Sequence, residues 1–86
     1  METRVAVISI IIEDMLQTEK VNEYLHEQAA YIIGRMGIPY REKKVNIISI
    51  VIDAPQDTIN SLSGRIAHLN GVSTKTAYSH VTTEAK

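Results

Sequence analysis

Eighty-six residues make one domain, close to the size at which a single core is only marginally sufficient. Nine basic side chains stand against ten acidic ones, without a long run of either sign, which argues against a stand-alone nucleic-acid module that must neutralise many phosphates. Cysteine is absent, so disulfides, thiolate metal sites and cysteine nucleophiles are excluded together, and a reducing compartment fits.

In chain order, residues 4–12 come first. Their alternating sets, Ala6, Ile8, Ile10, Ile12 and Val5, Val7, Ser9, Ile11, are both apolar, which marks a strand buried on two faces. The apolar run falls far short of the ~20 residues a membrane helix needs. It has no small-residue cleavage site and runs straight into Glu13-Asp14, so it reads as a strand and not as a secretion signal. The expectation is a cytoplasmic protein that does not engage a membrane. Asp14, with Gln17 three residues on, offers a helix cap, and Thr18 competes with it. Val21, Leu25, Ala29, Ile32 and Met36 recur at steps of three and four and predict a helix to about Met36. Gly34 and Gly37 close it, Gly37 as the left-handed residue past the cap.

Residues 38–43 form a short, polar, proline-bearing strand suited to a sheet edge. A tight turn near Lys43-Lys44 leads into residues 45–53, which are β-branched almost throughout and apolar on both faces. Asp53-Ala54-Pro55 stops that strand, and proline suits the first turn of the next helix. Ile59, Leu62, Ile66 and Leu69 are the stripe of that helix, and Gly71 ends it. From Val72 to about Val81 runs a more polar, outer strand, and residues 82–86 read as a frayed end.

The order β-α-β-β-α-β, with no internal linker, predicts one domain over residues 1–86 with an ordered core of about 4–81. Its class is α+β and ferredoxin-like: a four-stranded antiparallel sheet with both helices on one face. The central strands of that topology are the first and third, the two that read as apolar front and back. One face is then left uncovered, with Val5, Val7, Ser9 and Ile11 beside Val45, Ile47, Ser49 and Val51. Monomers seldom expose an apolar patch of a few hundred Å². Burying this one offers on the order of 10 kcal/mol per subunit before association costs. A homo-oligomer, dimer or tetramer, is expected; a monomer with a small hydrophobic ligand pocket is the alternative.

Among the polar residues, His26, His68 and His80 lack the close spacing of a chelating pair, so no metal is expected within one chain, while a site shared between subunits stays open. Arg35, Arg41, Lys43 and Lys44 gather around the edge strand, either as an anion site or as edge protection. Glu13 and Asp14 are readable as an acid–base pair or as a cap and turn. Gly64 lies in mid-helix at a cost of ~1 kcal/mol against alanine and predicts close approach by a helix, a subunit or a ligand. No phosphate-binding glycine loop, nucleophile elbow or paired-cysteine motif occurs, so neither an enzyme nor a cofactor is expected.

Residues 37–42 (Gly-Ile-Pro-Tyr-Arg-Glu), 57–65 (Asp-Thr-Ile-Asn-Ser-Leu-Ser-Gly-Arg) and 71–76 (Gly-Val-Ser-Thr-Lys-Thr) carry a resemblance to a known family. The chain resembles the small regulators associated with iron-only hydrogenase systems, over residues 7–76. The resemblance implies an ACT-like domain, similar to the C-terminal sensing domain of nickel-responsive repressors. Both kinds of domain oligomerise through their sheets and bind small effectors between subunits. Where the nickel domains carry histidines and a cysteine, this chain has Tyr40, Arg41, Asn46 and Ser49; where amino-acid-binding ACT domains have a glycine-bearing loop, it has Glu13-Asp14-Met15-Leu16. No ribbon-helix-helix arm is seen, so a transcriptional role would run through a protein partner and not through direct nucleic-acid contact. The implied function is a non-catalytic, small-ligand-sensing regulator. Its site is expected where helix one meets the edge strand, at Gly37, Tyr40 and Arg41 with Glu13 and Asp14 nearby. Arg41 would pair an anionic group, the two acids would receive an amine, and Gly37 would let backbone come close. A ligand-free adaptor oligomer and a small ferredoxin-like dimeric enzyme are the alternatives; the enzyme requires polar residues pointing into the core.

Overall fold

Two-sided alternation produces the two strands at the centre of the sheet. In the computed structural model, which describes residues 2–84 and their side chains as far as Val81, these are β1 (Glu2–Ile12) and β3 (Val45–Ala54). They pair antiparallel with Ser9 opposite Ser49 and Ile12 opposite Asn46. Around them lie β2 (Ile32–Tyr40) on the outer side of β3 and β4 (Val72–Glu84) on the outer side of β1, in the order β2-β3-β1-β4. With α1 (Thr18–Glu27) and α2 (Gln56–Ala67), the chain has the expected β-α-β-β-α-β order and α+β ferredoxin-like architecture.

Burial follows the alternation. Ala6, Ile8, Ile10 and Ile12 of β1 and Ile48, Ile50 and Ile52 of β3 are buried beneath Val21 and Leu25 of α1 and Ile59, Leu62 and Ile66 of α2. Polar atoms tie the helix layer to the sheet at its margins. Tyr78 of β4 donates its hydroxyl to Asn60 Oδ1 at 2.8 Å, and Asn46 of β3 donates to the Thr18 hydroxyl at 3.3 Å.

The first helix is shorter than its apolar stripe predicts. It ends at Glu27, a 3-10 turn spans Ala29–Tyr31, and residues 32–36, expected as helix, are the first half of β2. The reason lies in β3. Its outer ladder runs from Val45 to Ile52, and β2 pairs along all of it. A helix continued to Met36 would leave much of that ladder without partners, a larger penalty than a weakened helix, and would hold Gly34 in its interior. Gly37 consequently lies in β2 opposite Ile48 and is not a left-handed cap; among the described residues the positive-φ glycine is Gly71, at φ 73°. The residue Ile33 between Ile32 and Gly34 is an extra one at a register shift, a bulge near the start of the edge strand.

Smaller differences sit at the ends of elements. Arg41–Lys43 form a 3-10 turn instead of closing the edge strand, and Lys44 takes the left-handed position at φ 56°. Pro55 stands at the cap of α2, one residue before its first turn. β4 continues past Val81, with Thr82, Thr83 and Glu84 paired to Arg4, Thr3 and Glu2 in place of the frayed end expected there; Ala85 and Lys86 lie outside the described residues. Among the described residues, no helix is long and apolar enough to cross a membrane.

Gly64 breaks its sequence-based expectation differently. A Cβ built there meets nothing within 4 Å, so among the described residues nothing outside its own helix packs closely against it. Gly64→Ala should therefore stabilise the isolated fold by about 1 kcal/mol, through better helix propensity and a less flexible unfolded chain. Urea unfolding measures this, and a loss of stability would show that another body occupies the space.

Candidate functional site

Two features concentrate on the side of the sheet away from the helices and at one end of it. The first is the uncovered face. Register places Val5, Val7, Ser9 and Ile11 of β1 on it beside Val45, Ile47, Ser49 and Val51 of β3. Gly34, Met36, Ile38 and Tyr40 of β2 extend it as a third strand. The rows across the sheet read Ile38-Ile47-Ile11, then Met36-Ser49-Ser9, then Gly34-Val51-Val7. On β4 the rows end in Ser73, Lys75 and Ala77, a more polar border. Val5, Val7, Ile11, Met36, Ile38 and Tyr40 are between 37% and 54% exposed although they sit within or beside a sheet. From those exposures the apolar patch amounts to roughly 500 Å², at the upper end of what a monomer leaves open.

The second feature is a cavity of about 320 Å³ where that face reaches the β2–β3 hairpin. It is lined by Met15, Pro39, Tyr40, Arg41, Lys44, Val45 and Asn46. Tyr40 opposite Val45 and Pro39 opposite Asn46 supply its sheet side. Met15 comes from the 3-10 turn Met15–Gln17 after β1, where Asp14 caps the turn by accepting from the Leu16 amide at 3.0 Å. The Tyr40 hydroxyl donates to Glu42 Oε2 at 3.2 Å.

The expected site residues divide into three places. Tyr40 and Arg41 line the hairpin cavity together. Gly37 lines a neighbouring depression of about 260 Å³ on the helix side, with Thr18, Asn22 and Arg35, and there Arg35 donates to Asn22 Oδ1 at 2.8 Å. Glu13 and Asp14 line neither; their amides donate to the Gly71 carbonyl at 2.7 and 3.2 Å, on the β4 side of β1. Met15, Pro39, Lys44, Val45 and Asn46 complete the cavity; Lys44 belongs to the basic group read as an anion site or edge protection and Val45 to the open face, while Met15 and Pro39 were not site candidates. Met36 and Ile38 were missing from the expected face because they were assigned to a helix and a polar edge. The period-two set Gly34, Met36, Ile38, Tyr40 is the signal that would have found them.

The helix layer carries a separate cluster. Arg65 bonds Glu27 Oε1 at 2.9 Å and stacks over the Tyr24 ring with its guanidinium carbon 4.2 Å from the centroid. The hydrogen bond to Glu27 is the main cause that raises the Arg65 pKa above its usual value. This pair borders an open groove with Asn60, Gly64 and His68, and it satisfies its own charges. Among the described residues, no three His, Asp or Glu side chains are grouped to hold a metal ion.

These features define a small α+β domain of ferredoxin-like topology with one bare sheet face. The TM1266-like family model, described as "Iron-only hydrogenase system regulator, putative", matches residues 4–76, and the chain belongs to that family. The solved structure of the uncharacterized protein TM1266 from Thermotoga maritima is 34% identical; the match covers 88% of this chain and 96% of that one, with a TM-score of 0.84. A formyltetrahydrofolate deformylase from Pseudomonas putida KT2440 is 20% identical over 85% of this chain and 28% of its own, with a TM-score of 0.63, a likeness of fold alone. No curated protein matches.

Proposed function

We propose that this chain is a non-catalytic, cytoplasmic regulatory domain that homo-oligomerises through its open sheet face and senses a small ligand at the hairpin end of that face. The observation that carries this reading is the continuity of the two features: a three-strand apolar surface runs into a cavity through the paired residues Tyr40 and Val45. A second copy laid on the face would cover the patch and approach the cavity, so ligand and assembly would be thermodynamically linked. Burial of roughly 500 Å² per subunit corresponds to on the order of 10 kcal/mol before association costs. The regulatory description of the family agrees with this reading. A catalytic reading finds little support, because among the described residues the buried set is aliphatic apart from Thr3.

In this proposal Tyr40 and Arg41 touch the ligand. Gly37 shapes the adjoining depression, and Glu13 and Asp14 hold the β1–α1 turn that carries Met15. Native mass spectrometry of freshly purified protein tests it. An oligomer that retains a small molecule in fixed stoichiometry is the expected spectrum. An oligomer that stays bare, and whose mass and stability do not change with added small molecules, would replace the sensor with an adaptor.

A further inference from the structure

We infer that the hairpin cavity takes a small organic anion with an apolar body, its charged group held between Arg41 and Lys44. This rests on the ligand-sensing reading above and adds the chemistry of the ligand.

The walls contributed by Met15, Pro39, Tyr40 and Val45 are apolar, and Asn46 with two cationic residues, Arg41 and Lys44, completes the lining. Neither cation pairs with an acid among the described residues, whose ion pairs are Lys20–Glu23 and Glu27–Arg65. Glu42, which lies in the same turn, accepts the Tyr40 hydroxyl.

The backbone holds the two residues in one strained turn. The Lys44 amide donates to the Arg41 carbonyl at 3.2 Å, which closes the turn, and Lys44 sits at φ 56°, a conformation that glycine or asparagine adopts more easily. The left-handed lysine stores backbone strain, and strain of this kind concentrates at ligand clamps. An anion at this turn would receive charge-assisted hydrogen bonds from both side chains. A bare inorganic anion would leave the apolar walls unused, and an uncharged apolar molecule would leave the cations unused. At about 320 Å³ the cavity lies at the small end of ligand-binding sites and suits a molecule of one ring or a short chain.

The test uses three probes that share a skeleton: 3-phenylpropionate, 3-phenylpropan-1-ol and phenylalanine. Each is titrated into the 86-residue protein by calorimetry and by amide NMR. The expected result is that 3-phenylpropionate binds at least about tenfold more tightly than the alcohol and than phenylalanine, whose ammonium would face the two cations. Its shifts should centre on Met15, Tyr40, Lys44 and Val45, and its affinity should fall as salt rises. Arg41→Gln and Lys44→Gln, both at exposed positions, should each weaken it several-fold while leaving the NMR spectrum of the fold intact. Equal binding of acid and alcohol, tighter binding of phenylalanine, shifts centred elsewhere, or no binding of the acid would each overturn the inference. A retained molecule of another class in the native mass spectrum would likewise overturn it and leave ligand sensing standing.

Discussion

Replacing Ile11 and Ile47 together by aspartate should convert the protein to a folded 9.6 kDa monomer. The two residues face each other across the central strand pair, with Ile38 next to Ile47, so they form the middle of an apolar row three strands wide. Ile11 is 44% exposed and Ile47 half-buried, and both point away from the helix layer, so the chain's own core loses nothing. In a symmetric assembly each substitution is present twice. Carboxylates placed in a dry, apolar interface without partners cost several kcal/mol in total, which corresponds to a loss of at least on the order of 10³-fold in subunit affinity. Within one chain the two new charges lie opposite each other on neighbouring strands and cost only a few tenths to about 1 kcal/mol. Unchanged circular dichroism alongside a monomeric sedimentation profile is the expected pair of observations. An oligomer that survives both charges would place the interface elsewhere.

Gly71→Ala should be the most damaging single methyl addition in the chain, at about 2–4 kcal/mol of stability. Two independent causes meet at this position. Its φ of 73° lies in the left-handed region where any side chain is strained, and an added Cβ would stand 2.6 Å from Asp14 Cβ and 3.0 Å from Asp14 N. The second contact is with backbone, so a rotamer change cannot relieve all of it. The Gly71 carbonyl also accepts from the amides of Glu13 and Asp14, and the strain passes directly into the turn that positions Met15 at the cavity. Chemical denaturation reads the loss, and tighter binding or unchanged stability in the variant would contradict it. Gly64→Ala, an identical chemical change with open space around it, is expected to act in the opposite direction.

How much of this was legible in the sequence depended on whether a residue's neighbours were near it in the chain. β1 and β3 were plain because β-branched residues alternate on both faces, and the strand order followed from the element order. The stretch 28–36 was misread because Val21, Leu25, Ala29, Ile32 and Met36 satisfy a helical period while Gly34, Met36, Ile38 and Tyr40 satisfy a strand period. What decides between them is the need of β3 for a partner along its whole outer edge, a requirement set by residues ten or more positions away. The missing third of the open face, Met36 and Ile38, followed from that one misreading.

At the candidate site, Tyr40 and Arg41 were found as a local cluster beside an edge. Met15 was not, because it reaches the hairpin only through the cap that Asp14 makes and the anchoring of Glu13 and Asp14 on Gly71. Asp14 caps the turn with its carboxylate, as the cap-and-turn alternative has it, and Glu13 contributes only its backbone amide. Lys44 was visible only as one of a basic group. Its left-handed backbone, whose amide closes the turn on the Arg41 carbonyl, belongs to the folded hairpin.

Sedimentation velocity at micromolar concentration bears most directly on the whole scheme. A species of twice the chain mass or more, dispersed by the paired aspartates, is the predicted profile. A stable particle of single-chain mass would mean that the sheet's bare side lives in water, and the coupling of assembly to ligand would fall with it.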